Sequence, residues 1–126
     1  MTRKTVDYTW QEFDQDMAAI QEALSEQRLL DKFDYIYGIP RGGLVIAVAL
    51  SHRLNKPMVT EIPHPNTRML IVDDISDSGA TLAPYNILWP KLWVATIHYV
   101  KGSQIEPNVW IHEKPKGDWI HYPWEA

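Results

Sequence analysis

The sequence contains no cysteine, which excludes disulfides and thiolate metal centres and suits a reducing compartment. It has no uninterrupted apolar run of membrane-spanning length, and Met1 to Lys4 leads into polar residues, not an apolar signal core. Basic charge is not in excess: 12 Lys and Arg stand against 16 Asp and Glu, for a net charge of -4. Overall electrostatics therefore give no reason to expect nucleic acid as the main partner. The lysine and spacing of a nucleotide P-loop are also missing. What is present is ordinary for a folded chain, 45% hydrophobic and 22% charged over 126 residues, enough for a single core. These bounds predict one small, soluble, cytoplasmic domain.

Thr9-Trp10-Gln11-Glu12 reads as a capping box, with the Thr9 hydroxyl accepting from the Glu12 N–H and the Glu12 carboxylate from the Thr9 N–H. Tyr8 and Phe13 occupy the positions of a hydrophobic staple. Trp10, Phe13, Met17, Ile20 and Leu24 recur at steps of three and four, predicting an amphipathic helix over about 9–30. Residues 34–39 predict a strand that stops at Pro40, Arg41-Gly42-Gly43 a tight turn, and 44–54 an apolar helix ending at Asn55. Residues 57–62 and 68–73 read as two further strands joined by 63–67. A helix follows over 81–88, where Pro84 is tolerable only in the first turn. Residues 92–100 and, more weakly, 108–112 complete the strands. A strand, a glycine turn and an apolar helix imply an α/β unit whose helix packs on a sheet.

The tail is rich in tryptophan, with five of the six at or after Trp89. They read either as cover for the sheet edge or as an aromatic wall for a ring-shaped ligand. Trp110-Ile111-His112 and Trp119-Ile120-His121 echo each other, but two copies do not make a repeat architecture.

The chemistry concentrates in "LIVDDISDSGATL", residues 70–82. In a parallel α/β sheet ligands bind beyond the carboxyl ends of the strands, and Asp73 and Asp74 stand where an apolar strand gives out. Adjacent strand residues point to opposite sides, so the two carboxylates have different jobs. After them, Gly79 and Ala80 let backbone approach closely, while the N–H groups, the Ser78 and Thr81 hydroxyls and the helix start favour an anion. Acids for sugar hydroxyls or a metal, followed by a phosphate cradle, suit a sugar phosphate. Asp and Ser also cap helices, and Gly makes turns. "DSGAT" alone leaves both readings open; the preceding "IVDD" favours the ligand site.

"LIVDDISDSGATL" resembles the phosphoribosyl pyrophosphate (PRPP) motif of type I phosphoribosyltransferases. "YGIPRGGLVIAVALSHRLNKPM" resembles the pyrophosphate-loop strand and helix of that family. The "TW" near the start, the "RGGL" turn and "DWIHYPWE" are similar to the bacterial xanthine-guanine branch. The resemblance covers about residues 9–125. It implies a mostly parallel sheet flanked by helices, with a small C-terminal hood that binds the base from about residue 101. It also implies Mg²⁺, PRPP and a purine base as cofactor and substrates, a homo-oligomer (dimer or tetramer), and no membrane or nucleic-acid partner. In that pattern Asp73 and Asp74 serve the ribose hydroxyls and Mg²⁺, and Asp77 is the general acid/base near the purine N7. Ser78, Gly79, Ala80 and Thr81 hold the 5′-phosphate. Arg41, Gly42 and Gly43 line the pyrophosphate side, with a strained or cis peptide near Arg41. Trp119 stacks on the base, Ile120 offers backbone groups to its edge, and Glu125 helps hold a second Mg²⁺.

Three features depart from the family pattern. Residues 61–68 are short for the mobile loop that closes such sites, and His64 or Arg68 reads as a substitute or as an ordinary loop residue. Lys101 falls one residue late for the lysine that contacts the purine's exocyclic oxygen, and it reads equally as a solvated strand-end charge. His121 stands where an acid is usual. A second reading therefore accompanies the enzyme: a non-catalytic PRPP- or nucleotide-sensing protein of the same fold.

Overall fold

The computed structural model describes residues 4–62 and 64–125; residue 63, in the predicted link 63–67, lies outside them. In chain order the elements are β1 (Thr5–Asp7), α1 (Trp10–Glu26), β2 (Tyr35–Gly38), α2 (Gly42–Leu54), β3 (Met58–Val59), β4 (Met69–Ser76), α3 (Ala83–Leu88), β5 (Leu92–Tyr99), β6 (Val109–Glu113) and β7 (Trp119–His121). Five strands make a wholly parallel sheet in the order β3-β2-β4-β5-β6, and β1 pairs with β7 in a separate two-stranded sheet. Helices flank the main sheet, as the sequence predicted.

Both faces of β4 are covered, which is why its sequence is apolar without alternation. Leu70 and Val72 pack with Met17, Ile20 and Leu24 of α1 and Ile46 and Leu50 of α2, whereas Met69 and Ile71 pack with Ile39, Leu82 and Val94 on the α3 side. The order of the sheet reverses between β2 and β4: the chain moves outward from β2 to β3, then returns to β4 on the other flank. Such a switch point opens a crevice at the carboxyl ends of the two strands.

Thr9 caps α1 as expected, its hydroxyl oxygen accepting from the Glu12 N–H at 3.1 Å. The Glu12 carboxylate, however, receives the Thr9 hydroxyl at 3.2 Å and not the Thr9 N–H. The helix ends at Glu26, short of residue 30. Arg28 turns left-handed (φ 57), and the Arg28 and Leu29 N–H groups bond the Ser25 and Leu24 carbonyls at 3.0 and 2.9 Å. That is a Schellman stop built without glycine, so no residue type announced it. Helix α2 stops at left-handed Asn55 (φ 53), as predicted. The strand expected over 57–62 shrinks to Met58–Val59, and α3 starts at Ala83, with Pro84 in its first turn.

The β1–β7 sheet was not predicted, because it joins residues 114 positions apart (Thr5 with Trp119, Val6 with Ile120). A buried polar chain ties this hood to the domain. Asp16, the one acid buried on the apolar stripe of α1, accepts from the Tyr8 hydroxyl at 2.5 Å and lies 3.0 Å from His112 Nε2. His98 Nδ1 lies 2.8 Å from the Tyr122 hydroxyl. Tyr8 packs edge-on against both His98 and Tyr122.

His98 is 6% exposed, and burial, with His112 and Lys114 opposing charge on it, pushes its pKa from 6.5 down to about 4. Between those values the unfolded chain binds a proton that the folded chain refuses. Stability is therefore full above pH 6.5 and falls as pH drops toward 4, by up to about 3 kcal/mol. His98→Gln, which does not titrate, is expected to lose less stability than the unmodified chain between pH 7 and 4.5 in urea unfolding.

Candidate active site

Beyond the switch point, the turn after β2 and the end of β4 face each other. Arg41 and Gly42 open α2, and the Pro40–Arg41 peptide is cis, as the family resemblance implied. Together with Leu44, Val45, Asp74, Trp119, Trp124 and Glu125 they line a cleft of about 810 Å³. Among the described residues, the buried side-chain polar atom without a partner is Trp124 Nε1, on the wall of this cleft.

β4 does not end at Asp73; it runs on to Ser76, so both acids are strand residues. Their side chains take opposite sides, as the strand period requires. Asp74 lies against the start of α2, so close that a Cβ on Gly42 would sit 2.3 Å from Asp74 Oδ2. Only glycine leaves room for the carboxylate there. Asp73 lies toward α3, where its charge helps push the Tyr85 hydroxyl up to about 12, a shift led by burial. Asp73 Oδ1 also accepts from the Asp74 N–H at 2.9 Å. Burial raises Asp73 well above the usual carboxylate range, and the Asp74 charge adds to it. Burial also raises Asp74, helped by the Glu125 charge. Two adjacent carboxylates are thus held where negative charge is costly.

The loop from Asp77 to Thr81 lines, with the rest of residues 73–81, a second hollow of about 180 Å³. Gly79 has φ 84, and a Cβ there would lie 2.8 Å from the Gln104 and Ile105 nitrogens. The Gln104 N–H bonds the Ser78 carbonyl at 2.9 Å, and Ser78 Oγ accepts from the Ala80 N–H at 3.2 Å. Asp77, Ser78, Ala80 and Thr81 remain exposed to solvent. Because α3 begins only at Ala83 and has six residues, an anion here relies on loop N–H groups and hydroxyls more than on a helix dipole.

A third hollow of about 180 Å³ is lined by Asp74, Ile75, Asp77, Lys114, Asp118, Trp119, Ile120, Tyr122 and Glu125. The ladder to β1 uses the Trp119 N–H (to the Lys4 carbonyl) and the His121 carbonyl (from the Tyr8 N–H). Strand alternation then turns the Ile120 N–H and carbonyl to the opposite side of β7. The Trp119 ring is 51% exposed at this rim. Lys101 sits exposed on the turn after β5 and lines none of these three walls, which fits the strand-end reading of it. Lys114 stands there in its place. Its side chain is buried, with Nζ donating to the Asp118 carbonyl at 2.5 Å and the Pro115 carbonyl at 3.3 Å, and lying 3.8 Å from Asp77 Oδ2. Nothing local marked Lys114 out; the one hint was a lysine closing an apolar strand.

Two other loop readings resolve. Arg68 holds Asp34 through two bonds of 3.0 and 3.1 Å and the Asp31 carbonyl at 3.0 Å, at the amino end of the sheet and away from the site. His64 Nδ1 accepts from the Asn66 N–H at 3.0 Å within its own turn. Neither substitutes for a closing loop. His121 faces Asp7 at 3.3 Å, outside the hollow.

Among the described residues no three His, Cys, Asp or Glu side chains converge to hold a metal by themselves. The donors at hand are carboxylate oxygens of Asp73, Asp74 and Glu125, suited to a hard cation. Mg²⁺ ordinarily takes one or two carboxylates and completes its shell with water and substrate phosphate. The residues fit an ion shared with a phosphorylated substrate, not a preformed cage.

No family model matches the chain. A solved purine phosphoribosyltransferase from Pyrococcus horikoshii Ot3 is 31% identical, with TM-score 0.79, over 98% of this chain and 95% of that one. A xanthine-guanine phosphoribosyltransferase of Cereibacter sphaeroides is 29% identical over 113 residues, 71% of this chain and 68% of its own. Another from Nitratidesulfovibrio vulgaris is 27% identical over 98% of this chain and 86% of its own. That alignment runs to 146 positions against a chain of 126 residues, so the relative carries residues this chain lacks.

Gly42→Ala drives a methyl group into the Asp74 carboxylate and is expected to cost about 1–3 kcal/mol, the usual range for overpacking, in urea unfolding. Truncating Asp74 to alanine in the same chain should recover most of that loss.

Proposed function

This chain belongs to the type I phosphoribosyltransferase family, and we propose that it transfers the 5-phosphoribosyl group of PRPP to guanine, xanthine or hypoxanthine, releasing pyrophosphate. The observation that carries this reading is the order of groups around the switch point. The acids of β4 meet the Arg41 turn on one side, the loop 77–81 on another, and the Lys114–Trp119–Ile120 hollow on a third. That order matches ribose, pyrophosphate, 5′-phosphate and base in one substrate pair.

In this reading Ser78, Gly79, Ala80 and Thr81 receive the 5′-phosphate and fix where C1 of the ribose lies. Asp73 and Asp74 take the ribose hydroxyls, and with Glu125 they would hold Mg²⁺, whose charge would offset that of the departing pyrophosphate. Arg41 and the Gly42 and Gly43 backbone line the pyrophosphate side. As a base nitrogen bonds to C1, the C1–oxygen bond to pyrophosphate breaks and the base gives up a proton. Asp77, exposed at the rim, manages that proton beside N7. Lys114 takes the role expected of Lys101. A 6-oxopurine presents an acceptor oxygen at position 6, whereas adenine presents a donor there. An ammonium 3.8 Å from Asp77 favours the oxo bases. Trp119 covers the ring, and the Ile120 backbone meets its edge. Residues 1–126 act as one domain, with the segment from about residue 101 binding the base.

One observation favours the sensing alternative. Residues 60–68 must carry the chain from β3 across β2 to β4, leaving little length to fold over the site and exclude water. A base panel with PRPP and Mg²⁺, read by mass spectrometry, decides between them. Mononucleotide is expected from the oxo bases and much less from adenine; PRPP binding without product from any base would favour the sensor. Asp77→Asn should lower turnover by about 10²–10⁴-fold, the usual worth of general acid/base catalysis, with PRPP affinity little changed. Lys114→Met should raise KM for the oxo bases by about tenfold or more, as befits a charged hydrogen bond, and narrow their margin over adenine.

A further inference from the structure

We infer that Tyr122 is a positioning residue, pinning the Asp74 peptide for the phosphoribosyl substrate, and that His98 acts on Asp74 through Tyr122 alone. The substrate named here rests on the function proposed above; the brace itself is geometric. β2 pairs with β4 only as far as Gly38 and Val72, yet β4 continues to Ser76. The β4–β5 pairing also skips Asp74, passing from Asp73–Thr96 to Ile75–His98, and buried backbone groups outside a regular ladder need partners. At Asp74 side chains reach both groups of the peptide. The N–H goes to Asp73 Oδ1 at 2.9 Å, and the carbonyl accepts from the Tyr122 hydroxyl at 3.4 Å.

A phenol carries one hydrogen. With it directed to Asp74, the 2.8 Å contact between Tyr122 and His98 requires His98 to donate from Nδ1. The brace therefore requires the imidazole in its Nδ1–H form, with a direction to the chain: His98 to Tyr122 to the Asp74 carbonyl. The ring that bears the hydroxyl has little freedom to swing. Tyr122 is 3% exposed, lies flat on Trp124 (5.0 Å, 12°), and meets Tyr8 edge-on at 5.4 Å. The Asp74 carboxylate is confined by Gly42, its N–H by Asp73 and its carbonyl by Tyr122. On the base side β7 is held in addition by the β1 ladder and the Tyr8 N–H to the His121 carbonyl (2.9 Å), so loss of the brace should fall first on the phosphoribosyl side.

Tyr122→Phe removes the hydroxyl and keeps the ring. Titration calorimetry is expected to show the dissociation constant for Mg²⁺·PRPP rising about threefold to tenfold, the worth of one neutral hydrogen bond. His98→Leu should give a similar rise, and the double variant no more than the larger single effect, since the two residues act in series. Nitrogen NMR of the unmodified chain without substrate should show a pyrrole-type Nδ1 and a pyridine-type Nε2 on His98. A pyridine-type Nδ1, unchanged Mg²⁺·PRPP affinity in Tyr122→Phe, or additive losses in the double variant would each overturn the inference. The unmodified chain's own affinity for Mg²⁺·PRPP tests the proposed function separately, and the imidazole signals test the brace without it.

Discussion

Removing a carboxylate from water costs several kcal/mol unless charge or hydrogen bonds compensate, and the end of β4 draws two adjacent ones inward. Asp73 and Asp74 are mostly buried and their anionic forms disfavoured. Much of what surrounds them answers that constraint. Gly42 stands where any side chain would strike Asp74, the Asp74 N–H is given to Asp73, and Tyr122 reaches in from the hood. Residual negative charge is left on the side where a cation accompanying a polyphosphate would arrive. The proposed site for phosphorylated substrate and a locally unfavourable electrostatic state are here the same feature.

The place of β4 in the sheet converts that local state into a site. It lies between β2 and β5 with helices against both faces, so the strand up to Val72 is apolar and the acids that follow stand beside a switch point. Alternation then divides the labour. Asp74 turns to the α2 turn and its cleft, Asp73 to the α3 side, and the loop beyond Ser76 lines a hollow of its own. The hood adds a third wall. Its strand β7 is held by β1 and by the aromatic and polar cluster of Tyr8, His98, Tyr122 and Trp124, so the walls of the third hollow depend on contacts made by the first described residues of the chain.

Much of this was legible beforehand because it is local. The Thr9 cap, the α1 stripe, the Asn55 stop, the apolar strand ending in acids and the glycine turn after β2 follow from short-range sterics and periodicity. The failures share a physical cause. The Schellman end of α1 uses Arg28, a residue with no left-handed preference. β1 and β7 are short, and they become strands only by pairing with each other. Asp16 was unremarkable until Tyr8 and His112 were brought to it. Lys101 was expected at the base because it follows the right strand, but side-chain direction at a strand end depends on how the chain leaves it.

The sequence by itself determined the chemistry available: paired acids after a buried strand, a small-residue anion loop and an aromatic tail. Hydrogen bonding and steric periodicity within a few residues dictate those features wherever they occur. Tertiary structure alone decided which groups share a cavity. It put Lys114 and not Lys101 beside Asp77, tied Arg68 to Asp34 at the far end of the sheet, and brought Tyr122 to the carbonyl of Asp74. Those choices arise from packing between elements dozens of residues apart, where spacing along the chain carries no information about distance in space.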